Sequence, residues 1–164
     1  MSLKDENYTP KWFIDPCRSF LNGFELDPFS NAIANETIKA KQFFSIDHNG
    51  FNQDWSAFKT KWVNPPYSKP LIEMAIAKTL DYAHIGETLL LVNTSSSTRW
   101  FHSCMAVCAA YLHPYKRINF DSPYRTTKGN RYDQTLFYFG TRPYEFAADL
   151  IALGRAVQPI PTIH

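Results

Sequence analysis

Glycine is scarce in this chain. There are six in 164 residues, and no two stand closer together than Gly129 and Gly140. A G-x-G-x-x-G turn and a Walker-type phosphate loop are therefore excluded. A nucleotide-like cofactor, if one binds, is held by something other than a glycine-rich turn. The three cysteines cannot all pair within the chain, which excludes a secreted disulfide framework and favours a reducing cytoplasm. No apolar run approaches the roughly 18 residues that a membrane-spanning helix needs. The polar start MSLKDENYTP is not a secretory signal. Neither sign of charge dominates: 17 Lys and Arg against 15 Asp and Glu leave +2, which neither requires a nucleic-acid partner nor forbids one.

Aromatic residues, by contrast, are abundant: 13 Phe, 9 Tyr and 4 Trp, or 16% of the chain. Most belong in a core, but aromatics are also stacking platforms for planar ligands. The length predicts one domain over 1–164, with a core over about 8–156 and no separate second domain.

The chain reads as alternating strands and helices. Helices are predicted over 12–21, 31–41, 70–83 and 99–112, the last capped by Thr98, with a final one over 146–156. Strands are predicted over 23–28, 42–46, 60–63, 87–92 and 134–139, with a short β-like stretch at 117–120. Glu87 to Val92 is continuously apolar after its first residues, the pattern of a strand buried on both faces. Alternation predicts an α/β fold with a mostly parallel sheet, whose ligands sit at the carboxyl ends of strands. Asp27-Pro28 and Asn64-Pro65-Pro66-Tyr67 both follow predicted strands and so share that edge.

Asn64-Pro65-Pro66-Tyr67 is the most informative stretch. Two prolines fix two successive φ angles and remove two donors. The result is a rigid corner that presents acceptors, the Asn64 side-chain oxygen and the Asn64 and Pro65 carbonyls, beside the flat face of Tyr67. Such a corner suits a planar exocyclic amine. Its two hydrogens can be held so that the nitrogen pyramidalises for attack, while Tyr67 stacks on the ring. A base in a duplex must first be flipped out.

This tetrapeptide resembles the catalytic motif of amino-methyltransferases that act on adenine N6, cytosine N4 or a protein glutamine amide. The wider pattern is more selective. Tyr8-Thr9-Pro10, Phe24-Glu25-Leu26-Asp27-Pro28, Ala34-Asn35, Asn52-Gln53-Asp54-Trp55 and Val63 to Ser68 together resemble the phage and prophage Dam-like DNA N6-adenine methyltransferases. Thr98-Arg99-Trp100-Phe101 and Arg117-Ile118-Asn119-Phe120 resemble the later blocks of that family. The resemblance implies a class I methyltransferase (Rossmann-like) fold, helices on both faces of the sheet, and S-adenosyl-L-methionine as cofactor. It implies that Asn64, Pro65, Pro66 and Tyr67 receive the adenine. It implies that Asp27, Pro28, Phe29 and Asn64 serve the cofactor, that Thr9 and Pro10 close over its methionine end, and that Asp54 lies near its adenine moiety. Ser68 and Arg99 join the DNA-facing residues on the same ground. Protection of phage DNA, in a host cytoplasm, is the corresponding expectation. The resemblance breaks at Val92-Asn93-Thr94-Ser95-Ser96-Ser97, where the family pattern carries proline and arginine.

His113 to Tyr132 interleaves Lys116, Arg117, Arg125, Lys128 and Arg131 with Tyr115, Phe120, Tyr124 and Tyr132, which suits a phosphate backbone and unstacked bases. DNA is the expected partner; no membrane and no obligate protein partner is implied. Other chemistries fit less well. His102, Cys104, Cys108 and His113 lack zinc spacing, so no metal is expected. Ser95 to Ser97 lack a nucleophile elbow. Methylation of RNA or a protein glutamine, or a silent relative that binds DNA or a host protein, stands as the alternative.

Overall fold

The computed structural model describes residues 8–120 and 130–161. Its elements are α1 (Lys11–Phe20), β1 (Leu26–Asp27), α2 (Ala32–Ile38), β2 (Gln42–Phe43), β3 (Thr60–Val63), α3 (Leu71–Tyr82), β4 (Glu87–Asn93), α4 (Arg99–Val107), β5 (Ala110–Pro114), β6 (Gln134–Phe139), α5 (Pro143–Asp149) and β7 (Gly154–Val157). The strands form one sheet in the order β2-β1-β3-β4-β6-β5-β7. β2, β1, β3 and β4 are parallel neighbours; β6 runs against β4 and β5, and β7 against β5. β5 therefore points the same way as the parallel four, and the carboxyl ends of β1 to β5 share one edge with the start of β6.

Side chains of a strand alternate between faces, and β4 shows what that does with an apolar run. Leu89 and Leu91 pack with Phe13, Phe20 and Phe146 of α1 and α5 and with Leu150, which caps α5. Leu90 and Val92 pack with Ile72, Ile76 and Phe101 of α3 and α4. Both faces are covered, as the continuous pattern of this strand predicts. Lys61 interrupts β3 chemically but not structurally. Its side chain is fully buried, and Nζ donates to the Phe58 and Ile85 carbonyls at 3.0 and 2.5 Å. Burial pulls its ammonium down to about 8.

Three expectations change. The helix predicted over 99–112 stops at Val107, where Cys108 turns extended (φ −65°, ψ 148°). Ala110–Pro114 is instead a strand, because β6 offers an edge to pair with: Tyr111 meets Phe137 and Leu112 meets Leu136. The last helix covers Pro143–Asp149, and Gly154–Val157 returns along β5 as β7. A Cβ on Gly154 would come within 2.4 Å of the His113 carbonyl oxygen, so this close pairing requires glycine. The stretch at 117–120 forms no strand; it is anchored by Ile118, which is fully buried. Among the described residues, no helix is long and apolar enough to cross a membrane.

The edge of the sheet opposite those carboxyl ends is tied by one charged cluster. Arg142 Nη2 donates to both Glu87 carboxylate oxygens at 2.9 Å and to the Phe20 carbonyl at 3.2 Å, while the Tyr138 hydroxyl donates to Glu87 at 2.6 Å. The guanidinium lies 4.5 Å from the Phe20 ring centre. α1, β4, β6 and α5 thus meet at one forked ion pair. Arg142→Leu should cost about 1–3 kcal/mol of stability, because Glu87 then keeps its desolvation and loses its partner. A urea-unfolding midpoint reads this.

Candidate active site

β3 makes its last pair with β4 at Val63 and Leu90. Pro65 and Pro66 follow and cannot donate to a ladder, while β4 runs on to Asn93. The Leu91 carbonyl, one residue past the last pair, accepts from the Tyr67 hydroxyl at 3.3 Å. The hydroxyl's one proton is shared between that carbonyl and Asn64 Oδ1, the nearer acceptor at 2.8 Å. Asn64 Nδ2 donates to Thr9 Oγ1 at 3.4 Å, and Thr9 is buried. Pro10, the N-cap of α1, receives the Phe13 N–H on its carbonyl at 3.0 Å. The Asn64 amide is therefore oriented from two sides, by Tyr67 and by the N-terminal segment. Sequence reasoning assigns Tyr67 a stacking face; its hydroxyl as the group that orients Asn64 emerges only here. Phe120 stands edge-on to the Tyr67 ring, with centroids 6.3 Å apart.

β1 lies beside β3 in the sheet, with Leu26 opposite Lys61, so Asp27 and the Asn64 corner are neighbours on the edge. Beyond the ends of β1 and β2 is a cleft of about 220 Å³ lined by Pro28, Phe29, Phe44, Gly50, Phe51 and Leu71 among others. Phe29 packs on Phe51 (4.8 Å) and Trp55 (5.8 Å), and Trp55 Nε1 donates to the Gly50 carbonyl at 3.1 Å. Gly50 lies in the turn that follows β2. A Cβ there would lie 1.9 Å from the Pro28 carbonyl oxygen. The close approach of two loops is the reason for glycine, and no motif announces it.

Asp27 is 2% exposed. Burial pushes its carboxyl up to about 7, offset in part by the Phe29 N–H, which donates to Oδ1 at 3.2 Å. The carboxyl is thus more buried than it is solvated by donors, an arrangement that favours an incoming cation or N–H group. Asp54 is different. It is exposed, and its carboxylate accepts from the Ser56 N–H and hydroxyl (2.9 and 2.8 Å) and the Tyr82 hydroxyl (3.1 Å). Those bonds hold it below the usual carboxylate range. It lies outside the cleft lining and fixes the loop that carries Trp55.

The DNA-facing candidates gather on the same edge because of strand direction. Ser68 follows β3, Arg99 opens α4 after β4, Lys116 and Arg117 follow β5, and Arg131 precedes the reversed β6; all are exposed. Lys116 Nζ sits 4.2 Å from the Trp12 ring centre, and Arg117 Nε donates to Asp133 at 2.9 Å. Arg125 and Lys128 lie outside the described residues. All three cysteines are free and buried, and burial raises their thiols. Among the described residues no group of three or more His, Cys, Asp or Glu is placed to hold a metal.

The buried acid makes a stability prediction. Native Asp27 keeps its proton up to about 7, whereas the unfolded residue loses it near 3.8. The native state binds more protons in that window, so stability falls as pH rises through it and stays lowered above. Asp27→Asn should remove that slope and stabilise the ligand-free chain at pH 8 by on the order of 2–4 kcal/mol. Urea midpoints at pH 5 and pH 8 measure it; an unchanged slope in the variant would refute the assignment.

A family model described as DNA N-6-adenine-methyltransferase (Dam) matches residues 1–144. A DNA N-6-adenine-methyltransferase of Haemophilus phage HP1 is 28% identical over 150 residues, 87% of this chain and 83% of that protein. Another, of Escherichia phage T1, is 27% identical over 101 residues, 61% of this chain and 40% of that protein. No solved structure gives a significant match. The α/β sheet, with parallel strands that end at a proline corner beside a buried acid, is consistent with a class I methyltransferase fold. With a family match over all but the last part of its length, the chain belongs to the DNA N-6-adenine-methyltransferase (Dam) family.

Proposed function

We propose that this chain transfers a methyl group from S-adenosylmethionine to the exocyclic N6 of adenine in DNA. Family membership supports the reaction and the substrate. The observation that carries the site assignment is the Asn64 amide, held by Tyr67 and Thr9 at a corner where β3 has stopped pairing. The donor set of the neighbouring cleft fits S-adenosylmethionine. Asp27, the buried acceptor that immediately precedes the lining residues Pro28 and Phe29, is suited to the methionine ammonium or the ribose, and Phe29, Phe44 and Phe51 form an aromatic wall suited to a planar ring. Thr9 and Pro10 stand at the methionine end, and Asp54 serves the adenine end through the loop it holds. When bound, S-adenosylmethionine supplies a methyl group already activated on sulfur.

The protein's part is orientation and electrostatics. Asn64 Oδ1 and the Pro65 carbonyl accept the two N6 hydrogens of a flipped adenine and bring the nitrogen lone pair out of conjugation. Tyr67 keeps Oδ1 aimed through its hydroxyl and offers its ring to the base. The buried prolines make the corner stiff, so little reorganisation is needed when the amine pyramidalises. Ser68, Arg99, Lys116, Arg117 and Arg131 face the phosphates; Arg125 and Lys128, outside the described residues, are assigned to DNA binding on the sequence alone.

Incubation with labelled S-adenosylmethionine and unmodified DNA, followed by mass spectrometry of the nucleosides, should yield N6-methyladenine. Product on RNA or a protein amide instead would overturn the reading. Asn64→Ala should lower kcat roughly 100-fold and leave cofactor affinity nearly intact. Tyr67→Phe, which keeps the ring and loses the hydroxyl, should lower kcat about tenfold. A matching loss of cofactor binding would show that the corner serves the cofactor and not the amine. Gly50→Ala should do the reverse: its Cβ displaces the Pro28 loop, weakening cofactor binding about tenfold or more with kcat at saturation preserved. Calorimetric titration separates the two effects.

A further inference from the structure

A second cavity, of about 380 Å³, opens on the same edge. Sheet order places it across the Asn64 corner from the Asp27 cleft: the cleft lies beyond β2 and β1, the corner beyond β3, and this cavity beyond β4, β6 and β5. Gln134, the first residue of β6, lines it and is 2% exposed. Its Nε2 donates to Asn93 Oδ1 at 3.0 Å. Its Oε1 is buried and accepts no hydrogen bond among the described residues. An acceptor left in that state is costly. The hydroxyls around it are already engaged: Thr94 with Thr135 at 2.8 Å, and Thr135 with His113 Nδ1 at 3.1 Å. Lys116 and Arg117 also line the cavity and are exposed, Lys116 seated over Trp12 and Arg117 paired to Asp133.

A buried neutral acceptor behind an exposed pair of cations matches the two ends of a nucleotide. The volume lies in the usual range for small-ligand sites. We propose that the cavity receives the nucleotide adjoining the target adenine. Gln134 Oε1 accepts a hydrogen bond from the amino group of that base, and Lys116 and Arg117 take its phosphate. Gln134 is then a specificity-determining residue, since amide side chains read amino-bearing base edges and thymine has no amino group. The inference rests on the DNA-methylation reading above.

The test is an oligonucleotide library with one adenine and both flanking positions varied, methylated by the full chain and scored by rate in each context. The parent should prefer an amino-bearing base over thymine at one flanking position by about tenfold. Gln134→Leu should bring that ratio near one, and Gln134→Glu, which keeps an acceptor at the same atom, should retain it with a shift towards cytosine. Lys116→Ala and Arg117→Ala should each lower the slope of log affinity against log salt by about 0.9, equally in every context. A parent without flanking preference, an unchanged ratio in Gln134→Leu, or a lost ratio in a folded Gln134→Glu would each overturn the inference while methylation itself persists. Absence of methylated adenine in every context would overturn the DNA reading, and the inference with it.

Discussion

Pro65 and Pro66 have no N–H to give to β4, and the open shape of this edge of the sheet follows from that lack. β3 stops at Val63 while β4 continues to Asn93. A notch opens where a ladder would otherwise run. Tyr67 fills part of it by donating to the Leu91 carbonyl just past the last pair, and with the same hydroxyl it orients Asn64. β1 ends in the same manner, at Asp27 before Pro28. Two neighbouring parallel strands that stop beside a longer one make a recess whose backbone is stiff and whose side chains are exposed to a ligand. Parallel alignment matters, because only then do the ends of β1 and β3 fall on one side.

Charge is distributed around this recess by depth. Asp27 is buried with few donors and holds its proton into the neutral range. That conflict with stability is characteristic of a site built for a ligand. The cations stay at the rim, where water solvates them: Lys116 over Trp12 and Arg117 against Asp133. The opposite edge has the reverse character. There Glu87, Arg142 and Tyr138 satisfy one another, and Lys61 delivers its ammonium to two backbone carbonyls.

Much of this is local chemistry, and local chemistry was readable. Thr60–Val63 and Gln134–Phe139 form strands with the expected bounds, because apolar runs bounded by proline or polar turns allow little else. The Asn64 corner is visible for the same reason: proline acts on its own residue and its neighbour. Where prediction went astray, the segment was ambiguous by itself. Met105-Ala-Val-Cys-Ala-Ala-Tyr-Leu112 can be helix or strand, and the unpaired edge of β6 settles Ala110–Pro114 as strand. The residues after Asp149 had a helical composition, yet Gly154–Val157 pairs with β5.

The sequence by itself determined that the fold is α/β, that β3 must end before Asn64-Pro65-Pro66, and that Asp27 and Asn64 share one edge of the sheet. Those are consequences of side-chain type, proline geometry and strand alternation, all of which act within a few residues. Only the tertiary structure decided that Gly50 lets a loop close on Pro28, that Thr9 and Tyr67 aim the Asn64 amide, and that Gln134 stands buried with an open acceptor beside Asn93. Each depends on which distant backbone comes near, and that is set by packing and strand register, which no local pattern encodes.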